Sequence, residues 1–261
     1  MVEVLDIPLF QYDIPRAISE VENICLQDGQ PKVSRCISAT GASGIIHARH
    51  DKEFKNILQS FYINLPDGMP SVWVGKAKGA KQMQRCYGPD FFKELMTSSA
   101  NKPINHFLCG GQPGVADQLK TSCETLFDNY NVKGTFTPPF RPMTKIELAT
   151  LGNTLDSLNI DIVWIGISTP KQELLANQLR RFCKVHFIVT VGAAFDFHTG
   201  RVKQAPKWIQ KNGLEWLFRL IQEPRRLYKR YFSIVPFFII YNIQEFVAHA
   251  AKTLFKKNKV H

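Results

Sequence analysis

From the start of the chain to about residue 200, short apolar runs rich in β-branched and aromatic residues alternate with stretches whose apolar positions recur at helical spacing. Short apolar runs bounded by turn formers read as buried strands, and their alternation with helices is the pattern of a parallel sheet covered by helices. Strands are predicted over residues 33–40, 61–64, 105–109, 132–136, 161–167 and 186–191, with helices filling the gaps. Three of these strands run straight into small or turn-forming residues: Cys109 into Gly110-Gly111-Gln112-Pro113-Gly114, Ile167 into Ser168-Thr169-Pro170, and Val191 into Gly192-Ala193-Ala194. In doubly wound sheets ligands bind beyond the carboxyl ends of strands, so these loops should line one crevice. The fold class expected is α/β.

The pattern changes from Trp208 onward. On a helical wheel, Leu214, Trp216, Leu217, Leu220, Ile221, Leu227, Tyr228, Tyr231 and Phe232 fall within an arc of roughly 160°, and Arg219, Arg225, Arg226, Lys229 and Arg230 occupy the other side. An amphipathic, one-sidedly basic helix is predicted, kinked or restarted at Pro224, where a backbone donor is lost. Residues 234–241 form the most apolar run of the chain, and Asn242, Gln244 and Glu245 read as its end. A spanning helix needs about 20 apolar residues, so this run is expected to pack on protein or to lie in a headgroup layer with Phe237 and Phe238. The chain thus divides into a core, 1–200, and a C-terminal helical appendage, 201–261.

Length and charge sharpen this division. A chain of 261 residues with 44% hydrophobic side chains can bury one large core. Its formal charge of +11 is concentrated in the tail: residues 1–199 hold 20 Lys+Arg against 19 Asp+Glu, whereas residues 200–261 hold 13 against 3. Such asymmetry implies an anionic partner, which nucleic acid, a membrane surface or a phosphorylated ligand would all satisfy. The amphipathicity favours docking on an anionic membrane through Arg225, Lys229, Phe237 and Phe238. Lys256-Lys257-Asn258-Lys259 is expected to be a frayed end attracted to the same lipid. Glu3 and Asp6, and the lack of a sustained apolar stretch, argue against an export signal at the N-terminus. The six cysteines are scattered without a Cys-x-x-Cys pair, so reduced thiols are expected rather than a zinc site or disulfides.

Five constellations offer chemistry. Asp67-Gly68 ends a predicted strand, where a carboxylate could take a proton from an attacking hydroxyl or simply make a turn. In Arg85-Cys86-Tyr87-Gly88-Pro89-Asp90, Arg85 could reach a phosphate, Gly88 would allow a ligand close to the backbone and Asp90 could cap the following helix. Gly110-Gly111 opens a strand-to-helix loop that suits an anion, although the full dinucleotide fingerprint is missing. Thr169, Pro170 and Gln172 read as a capping box, with Lys171 facing phosphates and Gln172 or Glu173 facing hydroxyls of a sugar or ribose. Gly192 and Asp196 belong to a small-residue loop after a buried strand, and His198 there reads as packed or superficial rather than as a general base.

Taken in order, Asp67-Gly68, Arg85-x-x-Gly88-x-Asp90, Gly110-Gly111, Pro170-Lys171-Gln172-Glu173, Gly192-x-Ala194-Phe195-Asp196 and Ala205-Pro206 resemble the WecG/TagA/CpsF glycosyltransferases. The densest likeness is the family's C-terminal signature, here Gly213-Leu214-Glu215-Trp216-Leu217-Phe218-Arg219-Leu220-Ile221-Gln222-Glu223-Pro224-Arg225-Arg226-Leu227-Tyr228-Lys229-Arg230-Tyr231. The resemblance implies a Rossmann-like core with a C-terminal appendage. It further implies inverting transfer from a UDP-sugar donor to a polyprenyl-diphosphate-linked sugar acceptor in bacterial polysaccharide assembly. Asp67 matches the family's proposed base, Thr40 its threonine near the acceptor sugar, and Arg219, Arg226 and Arg230 the arginines thought to close over the donor diphosphate. The chain departs from the family at Thr40-Gly41-Ala42, at Leu65-Pro66 and at Gln204.

The expectation is therefore an enzyme in the cytoplasm, peripherally attached to the inner face of the cell membrane. No nucleic-acid partner is expected, and a homo-oligomer is compatible with the reading. The chain has no Asp-x-Asp triplet, so no metal and no other cofactor is expected, and cationic side chains would neutralise the leaving diphosphate. Two rival readings are a nicotinamide-dependent oxidoreductase and a non-catalytic module binding membrane or nucleic acid through its tail.

Overall fold

The computed structural model describes the backbone of residues 1–257 and their side chains apart from those of residues 226, 230 and 249–257. It opens with a hairpin that the apolar pattern did not predict. β1 (Val2–Val4) and β2 (Ile7–Leu9) pair antiparallel, with Val2 opposite Leu9. Leu5 and Asp6 make the turn at φ values of 49° and 67°, without the glycine or asparagine that usually marks one. Lys55 Nζ reaches Asp6 at 2.7 Å, and this bond draws the Asp6 carboxyl below its usual range. α1 (Ile14–Leu26) follows, capped by Asp13, whose Oδ1 accepts from the Arg16 N–H at 3.1 Å.

All six predicted strands form. β3 (Arg35–Thr40), β4 (Ile63–Pro66), β5 (His106–Gly110), β6 (Val132–Phe136), β7 (Ile162–Gly166) and β8 (Phe187–Thr190) join in one parallel sheet of order β4-β3-β8-β7-β5-β6. Between β3 and β4 lie α2 (Ala42–His50) and α3 (Lys52–Gln59); α4 (Met69–Ala77) and α5 (Gly88–Ser98) lead to β5. α6 (Val115–Phe127), α7 (Lys145–Ser157) and α8 (Lys171–Leu179) connect the remaining strands, and α9 (Ala194–His198) follows β8.

The period of two in the strands divides the core. In β7, Val163 and Ile165 face one apolar layer, built with Leu58, Leu155 and Leu179. Ile162 and Trp164 face the other, built with Phe91, Phe92 and Leu119. Both faces are buried, which is why β7 reads as a continuous apolar run. Trp164 Nε1 donates to Nδ1 of the fully buried His106 at 3.1 Å, and burial pushes that imidazole down to about 3. His198 is packed as expected: its ring stacks on Phe92 with centroids 5.4 Å apart.

Beyond α9 come α10 (Lys207–Lys211), α11 (Glu215–Gln222) and α12 (Pro224–Lys257). Pro224 begins a helix, and the apolar run at 234–241 lies inside it, so Asn242, Gln244 and Glu245 do not end it. Asn242 is 5% exposed, and its Nδ2 donates to the Phe238 carbonyl one turn back at 2.7 Å, so its polar group is met inside a helix that runs on past it. By length and composition alone, Leu227–Ala248, with mean hydropathy 1.3, is long and apolar enough to cross a membrane. One side of α12 rests on α2: Phe238 is 4% exposed within the core, and Phe237 and Tyr241 meet the His50 ring. Phe238, expected at a lipid surface, therefore packs on protein, because α2 supplies the apolar partner first. The other side stays open, with Phe232 74% and Val247 63% exposed.

Candidate active site

Asp67 stands between β4 and α4, at the carboxyl edge of the sheet and partly exposed. Its main chain is fixed twice: the N–H donates to the Thr40 carbonyl at 3.3 Å and the carbonyl accepts from Arg85 Nε at 2.8 Å. Oδ1 accepts the Gly88 N–H at 2.8 Å, a donor at the free N-terminus of α5. Among the described residues no hydrogen bond reaches Oδ2, which lies over Gly41. Desolvation pushes the carboxyl up to about 6; Arg85 and the Gly88 N–H pull it down, Glu215 pushes it up, and Arg219 pulls it down. An acid that is ionised near neutrality and open on one oxygen can accept a proton from a reacting hydroxyl.

Arg85 is turned toward protein. Its Nε serves Asp67, Nη1 donates to Gln210 Oε1 at 3.2 Å, and Nη2 forms an ion pair with Glu215. All three nitrogens are engaged by protein, so the expected phosphate contact is replaced by a tie to the C-terminal helices. The Tyr87 hydroxyl donates to the other oxygen of Glu215, and the Arg85 guanidinium lies over the Tyr87 ring at 4.0 Å. Burial, with Glu215 beside it, holds the Tyr87 phenol well above its usual range. Gly88 serves protein as well: a Cβ there would stand 2.9 Å from the Val191 carbonyl. Asp90 lies in the first turn of α5 instead of capping it, because the helix already begins at Gly88; its Oδ1 accepts from Gln204 Nε2 at 3.5 Å.

Thr40, Gln172 and Glu173 meet below the surface, where Gly192, itself partly exposed, joins them. Glu173 is 1% exposed, and its Oε1 accepts from Ser38 at 3.2 Å, Thr169 at 3.0 Å and Gln172 at 2.9 Å. Gln172 Oε1 in turn accepts the Gly192 N–H at 3.1 Å. The Thr40 hydroxyl, 2% exposed, donates within the same network to Ser38 at 3.0 Å and Asn64 at 3.2 Å. These residues bracket three strand-end loops together and do not offer themselves to a sugar. The expected capping box is absent here, since Pro170 precedes α8 and the Thr169 hydroxyl turns to the Glu173 carboxylate. A capping box does form at Thr144 and Glu147, on the surface.

Gly110, at φ 150°, is needed for sheet closure, because a Cβ there would stand 2.6 Å from the Gly166 carbonyl; Gly111 faces Val115. The two strands so joined, β5 and β7, send their connections to opposite sides, which makes their edge the switch point of the sheet. Lys171 is exposed at this edge, with Nζ 4.3 Å from the centre of the Phe140 ring. Asp196 lies inside α9, where its carbonyl receives the N–H groups of Arg201 and Val202 and turns the chain toward α10. Arg219 crosses from α11 to stand over Phe197 at 5.8 Å, and among the described residues its buried Nε has no hydrogen-bond partner. Gly68 begins α4 beside Asp67. Arg225 and Lys229 are exposed on α12, whereas the side chains of Arg226 and Arg230, and the Lys256-Lys257-Asn258-Lys259 end, lie outside the described residues.

Sequence reading missed Tyr87, Gln210 and Glu215. Glu215 carried a signal, being one of 3 acids among 13 cations in the last 62 residues.

A partly exposed acid at the carboxyl edge of a doubly wound parallel sheet, with cationic side chains converging on it, places the chain among α/β enzymes of the Rossmann-like type. Within that class its kinship is specific. Residues 2–252 match the Glycosyl transferase WecG/TagA/CpsF family, and the chain belongs to it. It is thereby a member of a glycosyltransferase family of polysaccharide biosynthesis, working on a sugar donor and a sugar-linked acceptor, and the nicotinamide and non-catalytic readings give way.

Proposed function

We propose that the chain moves a sugar from a UDP-sugar donor onto a polyprenyl-diphosphate-linked sugar with inversion, in one displacement for which Asp67 is the base. The acceptor oxygen bonds to the anomeric carbon as the bond from that carbon to the UDP oxygen breaks. Asp67 Oδ2 takes the acceptor proton, and UDP leaves with the electron pair. The observation that carries this reading is the divided carboxylate of Asp67, with one oxygen held by Gly88 and the other open. Arg219 and Lys171 supply cationic contacts to the diphosphate, joined by Arg226 and Arg230, and no metal takes part. Residues 1–200 form the catalytic core and 201–261 the appendage that closes over the donor. The exposed apolar side chains of that appendage, among them Ile221 at 73%, support its docking on the inner face of the cell membrane.

The test is to offer a panel of UDP-sugars with a polyprenyl-diphosphate-sugar and to read the anomeric configuration of the product by NMR. Retention of configuration would overturn the single displacement, and absence of product from every UDP-sugar would overturn the donor class.

A further inference from the structure

Glu215 is buried at the start of α11, yet its carboxylate joins two side chains that precede it by 130 and 128 residues, Arg85 and Tyr87. Each of these borders a bond that fixes Asp67. Arg85 donates its Nε to the Asp67 carbonyl, and the residue after Tyr87, Gly88, donates its N–H to Asp67 Oδ1, both at 2.8 Å. The Cys86 N–H between them reaches the Pro66 carbonyl at 2.9 Å. The segment 85–88 therefore wraps the Asp67 turn, and a single acid from the C-terminal helices grips it at two points.

We infer that Glu215 is a positioning residue: it clamps segment 85–88 around Asp67, so that the base is fully ordered only while the C-terminal helices are seated. The inference rests on the assignment of Asp67 as the base. A buried ion pair is a poor source of stability, since apolar residues of similar volume often stabilise as well or better. What this pair supplies is a defined geometry next to a reacting group, together with a negative charge facing it. Among the described residues, the charged groups facing Asp67 are Arg85, Glu215 and Arg219, and the other titratable neighbours are Tyr87 and Cys86. With the Glu215 charge removed, two arginines act on Asp67 without an opposing acid, and its proton leaves at lower pH.

The test uses the full chain carrying Glu215→Gln, which keeps the shape and removes the charge. Amide hydrogen exchange over residues 85–88 should rise several-fold against wild type, and the acid limb of kcat/KM should move to lower pH by roughly 1 unit. A merely structural role would reduce the active fraction and leave that limb in place, so an unmoved limb overturns the inference. Tyr87→Phe releases one grip and keeps the ion pair; exchange over 85–88 should again rise, and unchanged exchange in this variant also overturns it. Should no UDP-sugar support turnover, the transfer reading fails by itself, and the exchange measurements still decide whether the clamp exists.

Discussion

The Gly88 N–H holds Oδ1 of Asp67 at 2.8 Å, while a Cβ on Gly41 would lie 3.5 Å from Oδ2. The first contact aims a helix N-terminus at the carboxylate, and the second means that a side chain at position 41 would touch the open oxygen, where glycine leaves room. Asp67→Asn preserves an acceptor for Gly88 and removes the base. Turnover should fall by about 10² to 10⁴, with UDP affinity by calorimetry unchanged. Near-normal turnover would take Asp67 out of the mechanism.

Because desolvation lifts Asp67 to about 6 from 3.8, activity should climb as pH rises through about 6. Stability should run the other way. Between the two values the folded chain keeps a proton that the unfolded chain has lost, so stability falls as pH rises through that window, by an amount on the order of 3 kcal/mol. Asp67→Asn should therefore raise Tm at pH 8 relative to wild type, and the advantage should shrink toward pH 4. A Tm difference independent of pH would contradict a desolvated acid that holds its proton to about 6.

Arg219 brings a guanidinium whose Nε is buried, with no hydrogen bond among the described residues, near Asp67 and over the Phe197 ring. A charge-assisted bond to a diphosphate oxygen would be about 1.5 to 3 kcal/mol. Arg219→Gln should lower kcat/KM for the donor by roughly 10- to 100-fold, mostly through weaker UDP binding. Unchanged UDP affinity would argue against the diphosphate contact.

If the outer side of α12 docks on lipid, vesicles rich in anionic phospholipid should sediment the full chain at low salt and release it as salt rises. Phe232→Ser, at a side chain 74% exposed, should weaken sedimentation without lowering Tm. Equal sedimentation by neutral and anionic vesicles would remove the electrostatic part of the docking.

The strands were legible because burial on both faces writes continuous apolar runs, as in Ile162 to Ile165. The opening hairpin was not, since three-residue strands joined through Leu5 and Asp6 carry neither length nor turn signal. Asp67 was singled out by its place after a strand, which left base and turn both open, and its role as base came from the family resemblance. The roles of its neighbours were misread whenever a distant partner decided them. Arg85 answers to Glu215, Thr169 to the buried Glu173, and Gly88 to Val191, and no local spacing announces such pairings. Thr144 and Glu147 form the capping box that Thr169 does not, because no buried carboxylate competes for the Thr144 hydroxyl.

Helix α2 is capped by Gly41, under the open oxygen of Asp67, and ends at His50, where Phe237 and Tyr241 of α12 rest. Its nine residues make a rod of about 13 Å. If α12 lies on a bilayer, the separation between the Asp67 carboxylate and that bilayer is set by a stiff strut rather than a slack tether, and a sugar carried on lipid would have to be long enough to cover that height.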